Sequence, residues 1–245
     1  MLPQHPTEPL AVTRARVLAD ACQSAHLSAK LLGGVAIYII SPSMRSAQFQ
    51  RPYNDVDIAI QNQDSAGLKN VLVNELGLVP DRAFNASHGD RRQLYSWQDE
   101  MEVDVFVDTF EQCQQLNLKP WLRHLDAVTL PRAVLLLTKL QIIQISPKDI
   151  LDIVALVLDY PQIFKDAEVS LLLTRSWQWY TTVLDTMSAV RSRLPDQLNA
   201  EQAAKVIETL NQATRHLDQL PKSLVWKSRA TLGRRVRWYE LPEEK

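Results

Sequence analysis

In the first half of the chain the apolar positions change period several times. After residue 126 nearly all of them recur at helical spacing. Residues 8–28 carry Leu10, Arg14, Val17, Leu18, Ala21 and Ala25 at that spacing, which predicts a helix with a mostly apolar stripe. A short apolar piece, Lys30 to Leu32, then runs into Gly33-Gly34. Residues 35–44 (VAIYIISPSM) suit either strand or helix. A helix starting at the glycines is favoured, because Gly-Gly permits a tight turn whose backbone approaches another group closely. Asp55 to Ile60 (DVDIAI) alternates strictly, as a strand does, with Val56, Ile58 and Ile60 on the core face. Residues 64–76 begin with an aspartate of capping type and stop before Gly77, a helix signature. Two β-rich runs, 92–97 (RQLYSW) and 102–107 (EVDVFV), separated by Gln98 to Met101, predict an antiparallel hairpin.

In the second half, Thr129 and Pro131 open a helix through about Ile145, and Ser146 with Pro147 open another through Tyr160. Residues 167–193 and 199–219 read as two more, the latter with an Asn199–Gln202 capping pair. The expected fold class is α+β: a mixed sheet with flanking helices over 1–125, then an all-helical domain over 126–245.

The alternation places chemistry as well as core. Asp55 and Asp57 stand at i and i+2 of a strand and therefore share one face. Two carboxylates this close repel unless a cation lies between them, and magnesium, a hard ion with oxygen ligands, is the natural one. Asp104 lies between valines in the later run (VDVFV), where an acid is costly unless it faces a site. Glu102 and Asp108 share its parity, and Glu102 is the substitute if the register differs. The competing reading is a half-exposed strand whose aspartates are merely solvated. Gly33-Gly34, before a helix, offers free N–H groups and a positive dipole end to phosphate, although paired glycines are also ordinary turn residues.

Composition alters this picture little. With 46 % apolar and 22 % charged residues the profile is that of a soluble globular protein. The formal net charge of −1 leaves any preference for nucleic acid to a local patch. One segment qualifies, Lys222 to Arg237, with six basic residues, no acid, and Trp226 and Trp238 in or beside it. It is the candidate for RNA, against the plainer reading of a solvated helix face. Cys22 and Cys113, far apart, read as free thiols. The opening MLPQHPTEPLAV lacks a basic and an apolar region, and the runs VAIYII and AVLLL are too short for a bilayer. A cytoplasmic protein without a membrane partner is expected. His88 and His124 show no metal-ligand spacing, and no nucleophilic serine or cysteine motif is present.

The order LLGGVAIYI, RPYNDVDIAI, EVDVFVD resembles the polymerase-beta-like nucleotidyltransferase superfamily. Within it the chain looks most like the small prokaryotic group related to abortive-infection toxins and aminoglycoside nucleotidyltransferases. That group's pattern continues in TKLQI, with Lys139, and in SPKDILDI, with Lys148, Asp149 and Asp152; the resemblance spans about residues 28–160. Two features depart from it: a long gap between Gly34 and Asp55, and Tyr53 where threonine or serine is usual. The resemblance implies transfer of an NMP group from an NTP to an acceptor hydroxyl on a small molecule, RNA or protein, with release of pyrophosphate. It implies two Mg2+ (or Mn2+) ions held by Asp55, Asp57 and Asp104, with Asp104 nearest the acceptor. Gly33 and Gly34 would cradle the β/γ-phosphates and Lys139 would reach the triphosphate. Arg51 would contact phosphate or pair with Asp55. The alternative is a nucleotide-binding or interaction module that keeps the fold without turnover.

Overall fold

The computed structural model describes residues 8–123 and 127–241, so His124, the opening MLPQHPT and a boundary at 125/126 lie outside the described residues. The architecture is mixed α+β, in two compact units. The first comprises residues up to Ile40, Gln50–Phe110 and Leu116–Pro131. The second comprises Ser41–Phe49, Glu111–Gln115 and the chain from Arg132. Two short stretches of the first half thus belong with the helical unit.

The first unit is built on a five-stranded sheet, ordered β1 (Lys30–Leu32), β2 (Asp55–Ile60), β5 (Glu102–Val107), β4 (Arg92–Ser96), β3 (Val79–Pro80). Only the central β2–β5 pair is parallel. The central strands share one fully buried side: Val56, Ile58 and Ile60 of β2 and Val103, Val105 and Val107 of β5 are all 2 % exposed or less. Burying six β-branched side chains on one face stabilises the pairing and anchors its register, since a one-residue slip would expose all of them. Helix α1 (Leu10–Ser24) buries Ala11, Val12, Ala15, Leu18 and Cys22, and α2 runs Gly33–Ile40. The ambiguous run after the glycines is therefore helix, and it ends at Ile40, short of the Ser41-Pro42 step.

Two expectations need correction. Asp64 does not cap its own helix: its carboxylate accepts the Ser28 N–H at 3.0 Å, tying the loop before β1 to the chain after β2. That helix is α3 (Ser65–Asn70), continued by a π-turn over Val71–Glu75 and ended where Gly77 adopts φ +70°. The sequence reading also passed over β3, α4 (Arg82–His88) and the two-stranded sheet of β6 (Thr109–Glu111) and β7 (Gln115–Asn117). These elements are too short to show a period.

The second unit contains α5 (Arg132–Leu140), α6 (Pro147–Asp159), α7 (Ala167–Arg175), α8 (Trp177–Ser192), α9 (Ala200–Gln219) and α10 (Leu224–Leu232). The single helix expected over 167–193 is two. Ser176 breaks it in extended conformation and starts α8 by accepting the Trp179 N–H on its hydroxyl. Capping boxes begin α6 (Ser146 with Asp149) and α9 (Asn199 with Gln202). No helix among the described residues is long and apolar enough to cross a membrane.

Candidate functional site

Parallel pairing of β2 with β5 sets Asp55 opposite Glu102 and Asp57 opposite Asp104. Paired residues of adjacent strands point the same way, so four carboxylates occupy one face at the centre of the sheet. The opposite face is the valine and isoleucine core. Asp55 and Glu102 are exposed, Asp57 is half-buried, and Asp104 is buried. The acids are thus graded from solvent inward along two neighbouring strands.

Gly33 opens α2 at φ +67°, and a Cβ placed there would lie 1.8 Å from the Asp57 carboxylate. Only glycine satisfies both the backbone angle and that proximity. The Asp57 carboxylate is therefore packed against the glycine that starts a helix, where the dipole favours negative charge. A Cβ on Gly34 would meet the Arg51 guanidinium at 2.1 Å. Arg51 also lies over the Tyr53 ring (4.2 Å to the centroid), and Tyr53 packs edge-on against Tyr38 of α2. Each glycine is thus a seat for one charged side chain, one acidic and one basic. Tyr53, a departure from the family pattern, is the platform under Arg51.

Arg92 has no counterpart in the sequence reading. It lies on β4, and antiparallel pairing with β5 puts it opposite Phe106, one step diagonally from Asp104 and on the same face. Its Nε donates to Asp104 Oδ1 at 2.7 Å and its Nη2 donates to Oδ2, a bidentate fork. The Asp104 side chain is 9 % exposed and that of Arg92 30 %. The guanidinium is also bracketed by the rings of Phe84 (5.8 Å) and Phe106 (5.5 Å). Its hydrogen bond to Asp104 holds the Arg92 pKa above its ordinary value, so the group stays cationic.

The donor set fits a hard cation: carboxylate oxygens only, on one face, with the helix-opening glycines beside it. Among the described residues no three metal-binding side chains converge closely enough to form a cage. Two acids of this face have close neighbours: Asp57 lies against Gly33, and Asp104 lies in the Arg92 fork. Asp108, the other acid of that parity, leaves the face: at φ +62° it pairs with Lys119 at 3.1 Å and accepts the Asn62 N–H. His88 stacks on Phe84.

Lys139 lies in the second unit, on α5. Its ammonium lies 2.8 Å from Asp149 and 3.0 Å from Asp152, the two acids of the SPKDILDI motif on α6. Asp152 is fully buried, and Asp149 also closes the capping box with Ser146. Burial opposes charge on Lys139, but Asp152 and Asp149 outweigh it and raise its pKa. Burial likewise works against the Asp149 carboxylate, yet Lys139 and the Ser146 hydroxyl hold its pKa below the usual range. Lys148 is exposed.

The basic segment is also largely occupied from within. Arg234 forms a bidentate pair with Asp185 and Arg229 donates to the Gly233 and Val236 carbonyls. Lys222 donates to the Leu217 and Leu220 carbonyls near the end of α9 and lies over Tyr180 and Trp226. Lys227 and Arg235 stay exposed, as do Leu224 and Val225. No protein-family model matches the chain, and no curated protein matches it significantly in sequence.

Proposed function

We propose that the chain is a metal-dependent nucleotidyltransferase whose site is the carboxylate face of β2 and β5. The observation that carries this reading is the register Asp57–Asp104, with Asp55 and Glu102 alongside, next to a glycine that the Asp57 carboxylate itself requires. Asp55, Asp57 and Asp104 would hold Mg2+ or Mn2+. When bound, the ion would activate the acceptor hydroxyl and neutralise charge on the triphosphate. The chain's own residues do the positioning. The start of α2 presents backbone N–H groups to phosphate. Arg51, seated on Gly34 and Tyr53, supplies a cation near them, and the Val/Ile face makes the sheet a rigid base. Arg51 and the α2 backbone would serve the phosphates, and Lys139, whose ammonium lies beside Asp149 and Asp152, is the further cation assigned to the triphosphate.

Incubation with each labelled NTP, Mg2+ and a panel of small-molecule, RNA and protein acceptors tests the proposal, with Asp57→Ala as control. Transfer or pyrophosphate release that needs metal and Asp57 is expected. Absence of NTP binding and of any metal dependence in the wild type would sink it. One observation favours the alternative, a nucleotide-binding module without turnover: the buried acid of the set is already neutralised by Arg92. NTP binding without turnover in the same experiment would select that reading.

A further inference from the structure

We infer that Arg92 is a latch on the candidate metal site, a positioning residue that occupies Asp104 until a divalent cation displaces it. The inference rests on the metal-dependent reading of the carboxylate face. Three structural features carry it. First, both oxygens of Asp104 are engaged by one guanidinium, through Nε and Nη2. A dication approaching that carboxylate meets a cation already in place, and in a largely solvent-excluded setting the two repel strongly. Second, Arg92 is the only cation that antiparallel register delivers to Asp104 from β4, and it comes from the sheet neighbour opposite β2. The carboxylate thus lies between a β2 side that offers more acids and a β4 side that offers a guanidinium. Third, Arg92 has somewhere to remain. The Phe84 and Phe106 rings bracket it independently of Asp104, so release needs a small shift of the fork and not expulsion of the side chain.

The consequence is an order of assembly. Asp55, the exposed acid of β2, is the first ligand a metal meets, and Asp104 joins only when the ion outcompetes Arg92. Without metal, the latch keeps a buried carboxylate compensated; with metal, the same guanidinium is released next to the acid assigned to the acceptor side.

The test is direct Mn2+ binding to the full-length protein, read from the electron paramagnetic resonance signal of free Mn2+, for wild type, Arg92→Gln, Arg92→Lys and Asp57→Ala. The expected result is roughly tenfold tighter Mn2+ binding in Arg92→Gln, from loss of a competing bidentate pair. Arg92→Lys should fall between Arg92→Gln and wild type, since lysine keeps the charge and loses the fork. Thermal unfolding should show little Mn2+ stabilisation of the wild type and a larger rise in Tm for Arg92→Gln. If Asp57→Ala weakens binding but Arg92→Gln matches the wild type, the latch is wrong and the metal site stands. Weaker binding in Arg92→Gln would make Arg92 a prop for the carboxylate and would equally overturn the latch. If wild type, Arg92→Gln and Asp57→Ala all fail to bind Mn2+, the metal reading falls and the latch with it. Should Arg92→Gln lose its native circular dichroism, Arg92→Lys decides: binding tighter than wild type supports the latch, and unchanged binding overturns it.

Discussion

Each unit contains a cluster of acids with a basic partner, and the two clusters are built to opposite ends. On the sheet, Asp55, Asp57, Glu102 and Asp104 share a face with Arg92, and the charge is graded from exposed to buried. In the helical unit, Lys139 lies between Asp149 and Asp152, its side chain 14 % exposed and that of Asp152 not at all. The helical cluster is more closed: one ammonium serves two carboxylates, a capping box orients one of them, and the other is fully buried. The sheet cluster is more open: Asp104 is buried in the Arg92 fork, Asp57 is half-buried, and Asp55 and Glu102 are exposed. A closed ion cluster holds helices together, because breaking it strands a buried charge. On the proposed reading, the more open cluster would keep negative charge for a cation from outside, so that acids serving cohesion in the helical unit would have a metal-binding counterpart on the sheet.

The largest effect should come from Asp57→Asn, which sharpens the contrast by removing one charge from the open face. Transfer should fall by roughly a thousandfold or more, the scale of metal charge stabilisation, with thermal stability preserved. A Tm drop of many degrees would instead make Asp57 a structural acid like Asp152. Next is Lys139→Met, expected to destabilise by about 3–5 kcal/mol in urea titration, because it removes the ammonium from beside the buried Asp152. If stability is kept and NTP affinity falls, the lysine belongs to the site after all. Gly33→Ala should cost about 1–2 kcal/mol from its left-handed backbone alone and also displace the Asp57 carboxylate. Ser146→Ala, which removes the hydroxyl partner of Asp149, should cost about 1 kcal/mol.

The closed cluster also has a defined pH signature. The folded pKa of Asp149 lies below its unfolded value, so its contribution is complete above about pH 4 and is lost as pH falls through the lower folded pKa. The folded pKa of Lys139 lies above its unfolded value, so its contribution is complete below about pH 10 and is lost only on further alkalinisation. Stability from this cluster should be flat between those limits. Asp149→Asn should reduce the acid-side slope in urea titrations repeated across pH.

Much of the sheet was legible because alternation is a local property. DVDIAI and EVDVFV each divide their own residues between two faces, whatever they pair with. The helix starts at Ser146 and Asn199 were legible for the same reason, since a capping box lies within four residues. The break at Ser176 was not: apolar spacing runs through it, and only the extended backbone of Ser176 separates α7 from α8. Lys139 could be seen in the sequence, but its partners could not, because they depend on how α5 packs against α6.

Arg92 marks the limit most clearly. Read from spacing, the loop Gln98 to Met101 would set Trp97 opposite Glu102 and put Arg92 on the other side of the strand from Asp104. In the folded hairpin Glu100 takes φ +67° and Trp97 N–H donates to the Met101 carbonyl, so Ser96 pairs with Glu102 instead. That one-residue change turns Arg92 onto the acid face. The sequence by itself determined which residues of each strand share a side. Only the tertiary structure decided which strands lie side by side and in what register. Side-chain alternation is a property of one backbone, whereas register is a contest among turns, buried faces and cross-strand partners distant in the chain.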